Sequence, residues 1–412
     1  MKRGEMVRKD SNKWWIEEPA KTLMNVLNNP PDSARFVGGC VRNTILKLPT
    51  SDIDVATKHR PEKAIRLLED AGIKVKATGL SHGTVTAFVR GVRFEITTLR
   101  KDIKTDGRHA VVQYTDCWQE DAKRRDFTIN TLLMDQFGKI IDPLNCKQDI
   151  LDGRVIFVGC PSQRIHEDAL RILRFYRFNA YFGFSSADPK SLEACKKNAH
   201  LVSRLSGERI REELFKILTS ENVCDTLELM QDGSIFEKLF SANVRLTELK
   251  ALLSLEKDSM DPVLRLAIAF GIAPETLSYK LKLPNKVADQ LTFLNGTEVS
   301  TKADSKSIKS FFYNYGVKQT LDLLIFKSAL DEDIINIYKY ALEIRGDWNH
   351  PIFPIAGSDI VSLGVTPGIA IGKTLAATEN WWIANNFEPD HSSCMNWARS
   401  FINNEKEKSG NG

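Results

Sequence analysis

The chain has 412 residues, which is long for a single compact core and predicts two or more domains. Its 42% hydrophobic and 27% charged content is typical of a soluble globular protein, and no apolar run reaches the roughly 18 residues that a membrane helix needs. The net charge of +4 is too small to identify a nucleic-acid-binding protein by itself. The N-terminus lacks the apolar segment of a secretory signal, and the seven cysteines show no CxxC spacing. We therefore expect a reduced, cytoplasmic protein without a disulfide framework.

In chain order, the first predicted segment with strands covers residues 34–150. Short β-branched or alternating runs, separated by glycines and polar turns, predict strands. The run "PEKAIRLLEDA", which begins at Pro61, predicts a helix with proline at its first position. After about residue 163 the apolar spacing is helical almost throughout. The sequence therefore predicts an α+β fold, in which a mixed sheet flanked by helices is followed by a long all-α region.

The run "SDIDVAT" places Asp52 and Asp54 two residues apart, so that in a strand both side chains face the same side. Two ionised carboxylates this close repel each other, and a divalent cation such as Mg²⁺, which prefers oxygen ligands, would remove that repulsion. Taken alone, the pair is more often a surface turn than a metal site. Glu95, in the run "RFEITTLR" with Phe94 and Ile96 on the opposite face, fits an exposed strand carboxylate but is also a candidate third ligand.

The run "VGGCVRN" places Gly38 and Gly39 between a predicted strand and a helix predicted to begin near Val41. Glycines at such a turn let backbone amides approach a phosphate, whose negative charge is favoured at a helix N-terminus. No GK[ST] follows, so the turn is not a Walker loop.

Two further runs carry clustered charges. The run "KRRDFTINTLLMD" places Asp126 and Asn130 four residues apart, as on one helix face, directly after Arg124 and Arg125. From spacing alone, this run is better interpreted as an N-capped surface helix than as a binding site. The run "HEDALRILRFYRF" is, on the same basis, better interpreted as an amphipathic helix with salt bridges. The second run spaces four charged residues by three, as along one side of a helix: Asp168, Arg171, Arg174 and Arg177.

Together these runs resemble the class II CCA-adding tRNA nucleotidyltransferases and their close relatives, the bacterial poly(A) polymerases. The family's GGxVRD and DxD block is similar to "GGCVRN" and "DID", its RRDxxxN block to "RRDFTIN", and its EDxxR block to "EDALR", in the same order. The run "LSGERIREELFKIL" resembles the neck helix of the family. One departure is Asn43, which stands where the family usually has Asp. The resemblance extends over residues 35–387.

The resemblance implies four regions. These are an extension with a helix at 1–33, a nucleotidyltransferase-type head at 34–150, a neck at 151–220 that recognises the nucleotide base, and a helical body and tail at 221–412 that bind RNA. It implies an enzyme that adds C, C and A from CTP and ATP to the tRNA 3′ end without a template, with the tRNA acceptor arm as partner. Mg²⁺ is the implied cofactor and pyrophosphate the product. The implied residues are Asp52, Asp54 and Glu95 for catalysis and the metal, Gly39 and Arg42 for the phosphates, Arg125, Asp126 and Asn130 for the nucleotide and its ribose, and Asp168, Arg171, Arg174 and Arg177 for the base.

Several related functions remain open from the sequence. Poly(A) polymerases, A-only enzymes and CC-only enzymes share the motifs, and a catalytically silent RNA-binding module is a different class. The intact carboxylates argue against the silent module. The run "KDIKTDGRHAVVQYTDCW" fills the place of a flexible loop that CC-only relatives tend to lack, and therefore favours full CCA addition. The sequence does not give the oligomeric state or the number of metal ions.

Overall fold

A computed structural model describes residues 13–80, 83–106, 109–183, 187–256, 260–366 and 368–410. The chain forms two compact units. The first comprises the chain through Val244 together with Leu277–Leu283, and the second comprises Arg245–Thr276 and the chain from Pro284 onward. A mixed sheet with flanking helices followed by a long helical region confirms the predicted α+β class. Within the described ranges, no helix is long and apolar enough to cross a membrane.

The first unit contains a seven-stranded mixed sheet. Its strands are β1 Ala34–Val37, β2 Ile53–Thr57, β3 Lys74–Gly79, β4 Thr84–Val89, β5 Val92–Thr98, β8 Leu133–Met134 and β9 Ile140–Ile141. They lie in the order β3-β4-β5-β2-β1-β8-β9, and every neighbouring pair is antiparallel except β2 and β5. The parallel pair is possible because the chain between β2 and β5 passes through a helix and an antiparallel hairpin.

Strand β5 shows the two faces of this sheet. Phe94 and Ile96 are buried while Glu95 between them stays partly exposed, so the predicted alternation is confirmed. Helices α1 Glu18–Leu27 and α3 Pro61–Asp70 pack against each other and against the neighbouring strand β4. The head is completed by short helices α2 Gly39–Ile45, α4 Trp118–Lys123 and α5 Lys147–Leu151 and by a 3-10 helix at Thr128–Asn130.

The segment that we expected as a charged loop contains two paired strands instead. Strands β6 Arg100–Asp106 and β7 His109–Tyr114 form an antiparallel two-stranded sheet, and residues 107 and 108 lie outside the described residues. The strand-forming run "HAVVQY" outweighs the charge of the segment. The ring of Tyr114, at the end of β7, packs so close to Gly83 that a Cβ there would be 2.9 Å from it.

The remainder of the first unit is helical. Its helices are α6 Pro161–Glu167, α7 Leu170–Phe182, α8 Pro189–Lys197, a 3-10 helix at Ala199–Arg204, α9 Gly207–Leu218, α10 Val223–Asp232 and α11 Ile235–Phe240. Helix α7 packs against α9 and α10. Aromatic side chains join α7 to the segments that precede it: Phe157 lies 4.7 Å from Phe127 and 5.8 Å from Phe175 between ring centroids, and all three are fully buried.

The segment Leu277–Leu283, with which the chain returns to the first unit, is packed tightly. Helix α14 Pro274–Leu281 ends against the start of α9, where a Cβ on Gly207 would lie 2.3 Å from the carbonyl oxygen of Lys280. Arg211 donates hydrogen bonds to the carbonyls of Leu281 and Lys282. Because Gly207 has no side chain, this backbone approach is possible there.

The second unit is entirely helical in its described part. Its helices are α12 Leu246–Leu255, α13 Pro262–Phe270, α15 Asn285–Gly296, α16 Ser305–Tyr315, α17 Val317–Leu330, α18 Ile335–Ile344, α19 Gly357–Ser362, α20 Ile369–Ala384 and α21 His391–Gly410, with the first residues of α14. One core cluster in α19 to α21 is built around Trp382, which is 2% exposed. All seven cysteines of the chain are free thiols, as predicted.

Candidate active site

Asp54 and Glu95 lie side by side on the parallel strands β2 and β5, where they are register partners. Residues directly opposite each other on paired strands point to the same face of the sheet. Asp52 lies one residue before β2, is exposed and accepts a hydrogen bond from the Ser51 hydroxyl at 3.2 Å. The prediction that both aspartates belong to one strand is therefore wrong for Asp52, because the pairing of β2 with β5 begins only at Ile53.

The carboxylates repel one another electrostatically. Burial raises the pKa of Asp54 to about 6, and the neighbouring charges of Glu95 and Asp52 add to this effect while Arg125 opposes it. The carboxylate of Glu95 forms an ion pair with Arg93, and both side chains are largely exposed. The face of the sheet that carries Asp54 and Glu95 thus holds an excess of negative charge.

These carboxylates suit a hard cation by their chemistry, because Mg²⁺ takes oxygen ligands and is often held by one or two carboxylates. A cation beside Asp54 would remove the repulsion that raises its pKa. Within the described ranges, no three histidine, cysteine, aspartate or glutamate side chains are close enough together to hold a metal ion. Asp52, Asp54 and Glu95 are therefore neighbours rather than a preformed set of three ligands.

The glycine turn approaches the same place. Gly38 has φ 74° and ψ −132°, a conformation that is strained for other residues, and α2 begins directly after it, two residues earlier than predicted. A Cβ on Gly38 would lie 3.5 Å from Oδ2 of Asp54 and 3.9 Å from Nη1 of Arg125. The turn, the carboxylate and the guanidinium therefore border one small space where the central strand β1 ends beside β2.

Arg125 is oriented by Asp121, an acid that the motif analysis does not single out. Asp121 is 2% exposed and accepts hydrogen bonds from Nη2 of Arg125 at 2.9 Å and Nε of Arg124 at 2.8 Å. Burial raises the pKa of Asp121, but the two guanidinium groups outweigh it and hold the pKa below its usual value. Asp121 is therefore ionised and fixes both arginines of the RRD motif.

Arg42 is buried and does not project into solvent. Its Nη1 donates to Oδ1 of Asn130 at 2.8 Å, its Nη2 donates to Oδ1 of Asn43 at 3.1 Å, and its guanidinium lies 3.9 Å from the ring centroid of Phe182. Burial, with Arg177 nearby, lowers the pKa of Arg42 to about 10. Asn43, the departure from the family motif, also donates from Nδ2 to the carbonyl of Pro49 at 2.8 Å, a bond that a carboxylate could not make.

Asp126 and Asn130 are joined directly, although they do not lie on a helix. Asn130 ends a 3-10 helix and Asp126 precedes it, so the predicted helix face is wrong, yet Nδ2 of Asn130 donates to Oδ1 of Asp126 at 3.0 Å. Arg174 pairs with Oδ2 of Asp126 through Nε at 2.7 Å and Nη2 at 2.6 Å. Burial raises the pKa of Asp126, but Arg174 and these hydrogen bonds hold it far below the usual range.

Glu213, on α9, completes this network from a distant part of the chain. It is 4% exposed, pairs with Nε of Arg177 at 2.5 Å and lies 3.9 Å from Nη1 of Arg174. The guanidinium groups of Arg174 and Arg177 also lie 5.4 and 4.1 Å from the ring centroid of Phe178. Both arginines are thus fixed by acids on other elements.

The EDALR motif is not one continuous helix. Asp168 is extended (φ −155°, ψ 107°) and ends α6, while α7 begins at Leu170, so the prediction that Asp168 shares a helix side with the three arginines is wrong. Its Oδ1 accepts from the backbone N–H of Leu170 at 3.1 Å, and its Oδ2 pairs with Arg209 at 2.8 Å. Aspartate competes with the helix for backbone donors, which is the physical reason for the break.

Arg171 has different partners. Its Nη1 donates to Oε2 of Glu167 at 2.7 Å and to the carbonyl of Arg164 at 2.8 Å. Asp168 and Arg171 are therefore each fixed by other residues and are not paired with each other through their side chains in the described contacts. The orientation of the two predicted base-reading groups is set separately.

Comparison with known proteins gives a consistent answer. The sequence-family model of the poly A polymerase head domain matches residues 34–156. The family model of a probable RNA- and SrmB-binding site of polymerase A matches residues 186–243. The chain is 33% identical over 394 residues to CCA tRNA nucleotidyltransferase 1, mitochondrial, of Homo sapiens, covering 93% of this chain and 90% of the human one. The chain belongs to the CCA tRNA nucleotidyltransferase family.

Further members of the family support this assignment. The CCA-adding enzyme of Ligilactobacillus salivarius is 37% identical over 384 residues, which are 90% of this chain and 93% of that one. A solved CCA-adding enzyme of Bacillus stearothermophilus, in complex with CTP, has a TM-score of 0.76 at 25% identity and covers 95% of this chain and 98% of its own. The family predicted from the motifs is confirmed.

In this member of the CCA tRNA nucleotidyltransferase family, most of the predicted site residues form two groups, while Asp168 and Arg171 have separate partners. Asp52, Asp54 and Glu95 lie near the Gly38 turn and Arg125. The second group is linked by hydrogen bonds and ion pairs through Glu213: Arg42, Asn130, Asp126, Arg174 and Arg177. Five residues that were not predicted as site residues hold the predicted ones in place: Asp121, Arg164, Glu167, Arg209 and Glu213.

Proposed function

We propose that this chain is a template-independent CCA-adding enzyme, which transfers C, C and A from CTP and ATP to the 3′ end of tRNA and releases pyrophosphate. The observation that carries the proposal is the pairing of Asp54 with Glu95 on parallel strands, beside the Gly38 turn and Arg125. The relatives named as CCA tRNA nucleotidyltransferase and CCA-adding enzyme align with 93% and 90% of the chain, and the head-domain family model matches residues 34–156, which contain the carboxylate strands.

We propose that Asp52 and Asp54 hold Mg²⁺, with Glu95 as the third acid. When bound, the cation neutralises triphosphate charge and activates the RNA 3′-hydroxyl for in-line attack on the α-phosphorus. The surroundings of Asp54 support this assignment, because burial first, and then the charges of Glu95 and Asp52, raise its pKa to about 6, and a bound cation would offset both effects.

The triphosphate is bound by the chain's own groups where the central strand β1 ends beside β2. The proposed contacts are the backbone at Gly39, Arg125 and Arg42. Arg125 is oriented for this role by the ionised Asp121. Arg42 is held by Asn130, so its role includes ordering the ribose side of the site. Asp126 and Asn130 are proposed to contact the ribose, since an ionised carboxylate has acceptor capacity beyond the bonds that Asp126 already makes.

The base is selected by Asp168 and Arg171, with Arg174 and Arg177 in support. A carboxylate accepts a hydrogen bond from the exocyclic amino group of cytosine or adenine, and a guanidinium donates to the adjacent ring nitrogen. Uracil and guanine present a carbonyl and an N–H at these places, so both contacts become repulsive. Arg209 donates to Oδ2 of Asp168 at 2.8 Å, a charge-assisted bond that fixes the orientation of the carboxylate.

The regional roles follow the same proposal. Residues 1–33 form an extension, 34–150 a catalytic head, 151–220 a neck that reads the base, and 221–412 a body and tail that hold the tRNA acceptor arm through phosphate contacts. The hairpin β6–β7 supports full CCA addition over CC-only addition, because it supplies the segment that CC-only relatives tend to lack. The cytoplasmic location stays a prediction from the sequence.

The test is a gel assay with tRNA that lacks its 3′ end, supplied with each NTP alone and with CTP and ATP together. Addition of C, C and A followed by arrest is the expected result, whereas long A tails would identify a poly(A) polymerase. Asp54→Asn and Asp52→Asn should remove nearly all incorporation and leave tRNA binding intact, while exposed Asp116→Asn serves as the matched control. Wild-type turnover in either site variant would refute the assignment of the carboxylates.

A further inference from the structure

Arg164, on α6, connects two motifs of the site although it belongs to neither. Its side chain is 10% exposed. Its Nη2 donates to the backbone carbonyls of both Arg124 and Arg125, at 3.0 Å to the latter. Its Nη1 pairs with Oε2 of Glu167. One guanidinium therefore bridges the backbone of the RRD motif and the acid that begins the EDALR motif.

The same acid holds the proposed base-reading arginine. Oε2 of Glu167 accepts from Nη1 of Arg171 at 2.7 Å, and this nitrogen also donates to the backbone carbonyl of Arg164 at 2.8 Å. Arg171 is thus fixed from two directions, by the side chain of Glu167 and by the backbone of Arg164. Its own side chain is 13% exposed, so it has little freedom to choose another orientation.

The planar fork of arginine suits this task, because its two terminal nitrogens donate in fixed, divergent directions. A lysine at position 164 would carry the charge but would offer its donors from a single atom. The bonds are charge-assisted and nearly buried, so their loss is costly. The Arg164 side chain therefore determines how far the Arg171 side chain lies from the backbone that carries Arg125.

We infer that Arg164 is a positioning residue that aligns base recognition by Arg171 with triphosphate binding by Arg125, so that the preference for CTP over UTP depends on it. This inference rests on the proposed function. It predicts that the loss of Arg164 changes the choice of nucleotide and not only the rate, although Arg164 is not proposed to contact the nucleotide.

The experiment compares Arg164→Met, Arg164→Lys and Glu167→Gln with the wild-type protein on tRNA that lacks its 3′ end, measuring kcat and KM separately for CTP, ATP and UTP. Arg154→Met is the matched control, because Arg154 is a half-exposed arginine that pairs only with Asp149 and Asp152 in the described contacts. We expect Arg164→Met to lower kcat/KM for CTP by about tenfold to a hundredfold, as lost charge-assisted bonds do, and to narrow the preference for CTP over UTP. Arg164→Lys should recover thermal stability but not this preference.

A double variant separates positioning from a structural role. If Arg164 acts through Arg171, the double variant Arg164→Met/Arg171→Met should prefer CTP over UTP as strongly as Arg171→Met alone does. Once Arg171 is removed, the loss of Arg164 has no further effect on the preference, so the effects of the two substitutions are not additive. Additive losses, or an equal fall in rate for CTP and UTP with the preference intact, would overturn the inference.

Two outcomes concern folding and the proposed function. Should Arg164→Met fail to fold, Glu167→Gln decides, because it keeps the bonds from Arg164 to the two carbonyls and weakens the bonds that Glu167 accepts from Arg164 and Arg171. An unchanged preference in this variant overturns the inference. A wild-type protein that adds neither C nor A overturns the proposed function and the inference with it. A wild-type protein that adds both, with unchanged preference in the variants, overturns the inference alone.

Discussion

Replacing Asp54 by asparagine should make the protein more stable at neutral pH while it removes activity. Burial, Glu95 and Asp52 raise the pKa of the Asp54 carboxyl from 3.8 to about 6, so the ionised form is disfavoured in the folded chain. A rise of this size corresponds to about 3 kcal/mol, which we reduce to about 2 kcal/mol because the side chain is partly exposed and water screens its charge. For a folding unit of this size, about 2 kcal/mol raises Tm by roughly 4–8 °C.

The sign of the effect follows from the direction of the pKa change. Below about pH 3 the carboxyl is protonated in both folded and unfolded chains, so it does not destabilise the fold. As the pH rises from about 4 through about 6, the unfolded chain ionises first and the fold loses stability, and above this window the loss is constant. The advantage of Asp54→Asn should therefore be full at about pH 7.5, be mostly lost near about pH 4 and vanish near about pH 3.

The assay is thermal unfolding followed by circular dichroism across this pH range, in buffer with a chelator of divalent cations. Asp116→Asn removes the same charge at an exposed position and is the control. Millimolar Mg²⁺ should raise the Tm of the wild-type protein and leave that of Asp54→Asn nearly unchanged, because a ligand stabilises only the form that binds it. The reasoning is refuted if Asp54→Asn is no more stable than Asp116→Asn at neutral pH, or if its advantage persists undiminished in acid.

Three further predictions concern the proposed function. Asp168→Ala should lower the use of CTP and ATP and reduce their preference over UTP and GTP by roughly tenfold to a hundredfold, by analogy with bidentate base contacts in DNA readout. A slower enzyme that keeps its full preference would show that other residues recognise the base. Shortening the hairpin within residues 104–111 should spare C addition and impair the final A in the gel assay, whereas equal loss of both steps would show a purely structural connection. Affinity for tRNA, measured by filter binding, should fall steeply as salt rises, and a salt-independent Kd would contradict phosphate binding.

The sequence predicted local features of the site better than distant ones. The alternation of Phe94, Glu95 and Ile96 was sufficient to place the acid on the open face of its strand, because strand periodicity is a local property. The helix break between Asp168 and Leu170 was missed, because a spacing of three also fits a continuous helix. Only the backbone conformation of Asp168 distinguishes the two, and spacing does not report it.

The partners of the arginines were predictable in some cases and not in others. Asp121 precedes Arg124 and Arg125 by three and four residues, so helical spacing could have identified this ion pair. Glu213 lies 36 residues from Arg177, and no periodicity connects them. The packing of α7 against α9 brings them together, and such a contact depends on tertiary structure.

The close approach of Gly207 to the Lys280 carbonyl has a consequence for how the protein can be divided. After Val244 the chain leaves the first unit, contributes residues 245–276 to the second unit, and returns to the first unit for Leu277–Leu283. A fragment that stops at Val244 would lack the backbone that Gly207 and Arg211 contact, and would also lack Leu281, whose side chain is fully buried, so the apolar surface that Leu281 covers would be exposed. Residues 277–283 follow residues 245–276 in the sequence but belong to the first unit. A catalytic fragment would therefore need residues 277–283 to be joined to it, by grafting or by circular permutation.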